Sequence, residues 1–141
     1  MAGFSRNGGP DLGWETAAIS SITVVVGDLL AKDRANEVLI LATSSSSRED
    51  LAGIAKQART TSDTTVLYEP IDFRSRYVAD TTNNSDTAHN LHRMVLSDEN
   101  ALNNTSTDST SDAAVFEQRG TVGATGDKKV WGYFVDFMDR A

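Results

Sequence analysis

Both histidines of the chain fall in "DTTNNSDTAHNLHRM", residues 80–94, where His89 and His92 stand three apart beside Asp80 and Asp86. Two imidazoles at that spacing on one helical face could ligate zinc, and either one beside a carboxylate could serve acid-base hydrolysis. The surrounding "NNSDTAHN" favours turns, however, and a strand starting at Leu91 would send His92 sideways from His89. The stretch therefore reads as a solvated loop entering the strand "LHRMVLSD". Other chemistry is equally thin. The chain has no cysteine, which excludes disulfides and thiolate centres, and it contains neither GxSxG nor HExxH. "GFSRNGGPDLG" lacks the GK[ST] of a P-loop and the strand that precedes a dinucleotide fingerprint. "DSTSD" has neither the aspartate spacing nor the glycine of a calcium loop. Asn83, Asn103 and Asn104 match glycosylation acceptors but read as turn residues. The sequence assigns no catalytic residue, no metal and no cofactor.

Positioning such groups falls to a chain of 141 residues, a length that suits one domain. With 39% hydrophobic and 7% aromatic residues, its core must be built mainly from Val, Leu, Ile and Ala. A net charge of −7 without any basic run repels phosphate backbones, so nucleic acid is not expected as a partner. "ISSITVVV" is too short to span a bilayer and has no signal-peptide flanks, which implies a soluble, unexported chain without a membrane partner.

Residues 1–14, "MAGFSRNGGPDLGW", show no apolar period, and Gly3, Gly8, Gly9, Pro10 and Gly13 oppose both helix and strand. They read as an extended N-terminal arm before a single β-rich domain, 15–141. From residue 19, "ISSITVVV" reads as a strand carrying Ile22, Val24 and Val26 on one face. "GDLLAKD" and "NEVLILAT" follow, joined by "DRAN" as a meander. "SSSSREDLAGIAKQAR" is ambiguous between a short helix near 48–58 and a strand, because Leu51, Ile54, Ala55 and Ala58 recur at helical spacing. "TTVLYE", "FRSRYVAD" and "LHRMVLSD" are strand-like, whereas "ENALNNTSTDSTSDA" reads as a long polar loop. "AVFEQRGTVG" and "KKVWGYFVDFM" form a closing pair around "ATGD". There Trp131, Tyr133, Val135 and Phe137 alternate onto one face, with Val130 and Phe134 on the other, which predicts a strand central to a sheet or at a subunit interface. About eight short strands indicate an all-β sandwich or barrel.

Several stretches are familiar as a set: "VVVGDLLAKD", "LILATSSSSREDLAGIAKQA", "YVADTTNNSDTAHNLHRMVLSDENALNNTSTDSTSDAAVFEQRGTVG" and "KKVWGYFV". Together they make the chain resemble the small head decoration, or cement, proteins of tailed double-stranded DNA bacteriophages. The likeness spans residues 20–137, is strongest over 77–123, and rests on texture and segment order. It implies a non-enzymatic virion protein, made in the host cytoplasm, that binds the outer surface of the capsid head and braces neighbouring major capsid subunits. Such proteins are commonly trimers at quasi-threefold positions, with dimers and monomers also known, and an extended arm commonly contacts the lattice.

On that resemblance Phe4, Arg6 and Trp14 are expected to supply capsid contacts from the arm, through strand addition on an assembled partner. Trp131, Tyr133 and Phe137 are expected at a subunit interface, since an exposed aromatic face is a liability on a monomer. The rival readings are a tail or neck protein, a small ligand-binding β-barrel, and a hydrolase using His89 or His92.

Overall fold

The computed structural model describes residues 3–9, 13–107, 112–124 and 126–136. Among these residues the chain is all-β, with eleven strands: β1 (Phe4–Gly8), β2 (Glu15–Ala18), β3 (Leu29–Asp33), β4 (Val38–Leu41), β5 (Leu51–Ala55), β6 (Thr65–Pro70), β7 (Arg76–Asp80), β8 (Arg93–Asp98), β9 (Ala101–Thr107), β10 (Ala114–Thr121) and β11 (Lys129–Phe134). They form two antiparallel sheets, ordered β1-β7-β11-β10-β8-β9 and β2-β6-β5-β3-β4, and neither closes into a barrel. The closest approaches to closure are parallel bridges between Ile19 and Leu39 in one sheet and between Thr81 and Leu102 in the other.

Alternation along the strands decides what each sheet buries. Phe4, Tyr77, Met94, Phe116, Val130 and Phe134 point inward from the six-stranded sheet and meet Leu29, Ala31 and Ile54 of the five-stranded sheet. The rings of Phe4, Phe116, Tyr77 and Phe134 pack edge-on or tilted around Phe134, with centroids 4.9–5.7 Å from it. Leu30, Ala52, Ala55 and Val66 point the other way, into a second cluster closed by Ile19, Val24 and Leu39. β5 is therefore buried on both faces along its whole length. Its helix-like spacing of apolar residues is the trace of a two-faced strand, and within 48–58 only Arg48–Asp50 make a single 3-10 turn.

Three other expectations are corrected. Residues 4–8 are not a free arm: β1 pairs with β7, Phe4 opposite Ala79 and Arg6 opposite Tyr77, and Phe4 is fully buried. The glycines flank this strand or end it rather than dissolve it, and Gly3, with φ at +90°, fits tightly against the Gly27 carbonyl. Residues 19–26 make no strand, only bridges at Ile19 and Val24, because Ser21 adopts a positive φ of 55° and Gly27, at +100°, turns the chain into β3. Within the expected 99–113 loop, residues 101–107 are a seven-residue strand. Its inward Leu102 is fully buried, and Asn104 donates to the carbonyls of Asn83 and Asn84, so hydrogen bonds replace apolar burial at that position.

Candidate functional site

β11 lies third in the six-stranded sheet, between β7 and β10, and so is a central strand. Its even-numbered residues Val130 and Phe134 are in the core, while Trp131 and Tyr133 face outward and are half-buried. Val135 does not continue the outer face. It lies beyond the strand end, buried, with its N–H donating to the Val115 carbonyl at 2.8 Å. Phe137 lies outside the described residues.

What half-buries the two outer rings is arginine. Trp131 sits opposite Gly120 of β10, whose missing side chain gives the indole its seat. The Arg76 guanidinium lies 5.0 Å from the Trp131 ring centroid, and Arg76 Nε donates to Asn7 Oδ1 of β1 at 3.2 Å. Tyr133 packs edge-on to Trp131 at 6.5 Å and carries the Arg119 guanidinium 5.1 Å from its centroid. Glu117 joins Arg119 at 2.6 Å to Arg93 at 3.5 Å. The outer face of the sheet is thus a ladder, Asn7, Arg76, Trp131, Tyr133, Arg119, Glu117 and Arg93, crossing five strands. At one end Arg74, Arg93, Arg119 and Tyr133 border an open groove of about 360 Å³. Stacked Arg, Trp and Tyr offer wide, rigid contact area with hydrogen-bond donors held in place, the residue types that carry most binding energy at protein interfaces.

The residues expected to act together in an arm are dispersed. Phe4 is interior. Arg6 bridges the sheets, its Nε 3.0 Å from Glu69 Oε2, and Lys56 Nζ lies 3.7 Å from the other Glu69 oxygen. Trp14 alone is a surface group, 56% exposed, with Lys56 Nζ 5.8 Å from its ring centroid.

His89 and His92 lie in a pinned loop. Thr87–His89 form one 3-10 turn, capped by the Asp86 carboxylate accepting from the Ala88 N–H. The two rings stack at 6.2 Å. Fully buried Gln118 holds the loop down: Nε2 donates to the Asp86 carbonyl and Asn90 Oδ1, and its main chain exchanges hydrogen bonds with Leu91 and His92. No group of three or more His, Cys, Asp or Glu suited to a metal ion occurs among the described residues. No helix among them is long and apolar enough to cross a membrane.

The arginines of the ladder were not singled out by the sequence. Period-2 spacing puts Glu117 with Arg119 and Trp131 with Tyr133 on a closing strand pair, but their register, and the strand order that adds Arg76 and Arg93, come from the fold. No family model, curated protein or solved structure matches the chain.

Proposed function

We propose that the chain is a non-enzymatic virion structural protein of the head-decoration kind, which binds the outside of the phage capsid and braces neighbouring major capsid subunits. The observation that carries the reading is the arginine-aromatic ladder on the outer face of the six-stranded sheet. A chain of net charge −7 keeps Arg76, Arg93 and Arg119 together there around Trp131 and Tyr133. Such a face suits a protein surface offering carboxylates and apolar side chains. Binding by several linked copies would make attachment to a lattice lasting, so self-association, with a trimer as the favoured form, belongs to the same reading. Trp131 and Tyr133 then contact either a neighbouring copy or the capsid.

The test is co-sedimentation of the purified chain with expanded capsids, followed by reconstruction of the particle. Saturable pelleting with density on the outer shell is expected. Arg76→Ala with Arg119→Ala should weaken it at least about tenfold while leaving the fold intact. No pelleting, or density confined to the tail or neck, overturns the assignment.

A further inference from the structure

β4 is an edge strand whose outer side is bridged by Ile19 at Leu39, which leaves its Leu41 end open beside a groove. The Ala42 N–H donates to the Leu29 carbonyl, and Ile40 stands opposite Ala31, so antiparallel alternation turns the N–H and C=O of Leu41 away from β3. Neither group has a hydrogen-bond partner among the described residues. Leu41 borders an open groove of about 660 Å³ whose other wall is formed by Val25, Val26, Asp28 and Glu99. Val25 is 61% exposed, so its side chain is open to a partner in this groove.

The groove is also acidic without a counter-charge. Asp28 is buried, and its Oδ2 accepts from the Val25 N–H at 2.9 Å. Among the described residues no Lys or Arg forms an ion pair with Asp28, Asp98 or Glu99, whereas Asp50, Asp72, Asp80, Glu69 and Glu117 all have one. Burial raises the Asp28 carboxyl above the usual aspartate value, and the charges of Glu99 and Asp98 add to that. A cation placed here would relieve this repulsion.

We infer that the Leu41 end of the outer edge of β4, beyond the Ile19–Leu39 bridge, with Val25, Val26, Asp28 and Glu99, docks an extended partner segment that alternates apolar and basic residues and hydrogen-bonds to the main chain of Leu41. The inference deepens the decoration reading by naming the chemistry of the capsid segment that would be grasped. The free N–H and C=O of Leu41 anchor the segment's main chain, the valines take the apolar side chains, and the carboxylates select Lys or Arg over acidic sequences.

The probe is a synthetic ten-residue peptide alternating Val and Lys, with an alternating Val and Glu peptide and an alternately N-methylated Val and Lys peptide as controls. NMR titration of the full chain should show the Leu41 and Val25 amides shifting on addition of the Val and Lys peptide. Both controls, and the Asp28→Asn/Glu99→Gln variant, should bind at least about tenfold more weakly. Equal binding of the Val and Glu peptide, indifference to N-methylation, or shifts confined to other residues overturns the groove. Capsid pelleting separates the two proposals. If the wild type pellets and the double variant pellets equally well, the groove fails and the decoration reading stands. If the wild type does not pellet, that reading fails whatever the peptide does.

Discussion

Arg6 shows how far one residue's role depends on the sheet it lands in. Its place in a glycine-rich opening segment suggests a free basic side chain, yet it stands on the inward face of β1, two residues from Phe4, and reaches Glu69 of the other sheet. Glu69 is almost wholly buried and is shared by Arg6 and Lys56, both of which keep some exposure. Removing the shared anion strands two cations near the interior, so Glu69→Ala should cost about 3 kcal/mol, the low end for breaking a buried pair. Urea unfolding of Arg6→Ala, Glu69→Ala and the double variant checks it: the double variant should lose clearly less than the sum, and strict additivity would mean the pair is uncoupled. The same dependence hides the ladder. Trp131 and Tyr133 are legible as an outward pair from alternation alone, but the guanidinium over Trp131 comes from β7, a neighbour of β11 only through sheet order, and the one over Tyr133 depends on the register of β10 against β11.

At the scale of elements, β1 converts the N-terminal segment from an accessory into part of the core. Phe4→Ala removes a fully buried ring that touches Phe116 and Phe134, and should destabilise by about 3–5 kcal/mol in thermal or urea unfolding. Deleting residues 1–8 should give a chain that is poorly folded rather than one that is folded and merely fails to bind. A deletion variant with wild-type stability would contradict the structure. The elements that could be read from sequence are those in which apolar alternation and hydrogen bonding agree: β3 with β4, β6, β7, β8, and the pair β10 with β11. Those that were misread separate the two. Ile19 and Val24 are buried without ladder neighbours, so their hydrophobicity mimics a strand. β9 has ladder neighbours but few apolar residues, so its asparagines and threonines mimic a loop. β5 buries every residue, so it lacks the alternation of a half-buried strand and its apolar spacing mimics a helix.

For the whole molecule, opposing carboxylates set how stability follows pH. Burial raises Asp28 in the fold, so above the ordinary value of 3.8 the unfolded chain gives up that proton first, and stability falls as pH rises toward the folded value. Asp50 and Asp72 act in the reverse sense. The Arg34 side chain and then Ser47 donate to Asp50 and lower it. At Asp72 burial pushes upward but is outweighed by the Arg74 N–H and side chain and by Ser75 Oγ, leaving it lowered. Their contributions are complete above 3.8 and are lost as pH falls through their lower folded values. Together these three groups favour the fold most near the ordinary aspartate value of 3.8, with stability lost below it through Asp50 and Asp72 and above it through Asp28. Asp28→Asn keeps an oxygen for the Val25 N–H while removing the charge, so it should be more stable than the wild type at about pH 7, the difference disappearing as pH falls below 3.8. Its profile between those limits should be flatter, with the loss below pH 4 retained. Denaturant midpoints measured across that range decide the matter: parallel profiles for the two proteins would show that the Asp28 carboxyl carries no ionisation cost in the fold, and would remove the repulsion argued for the groove beside β4.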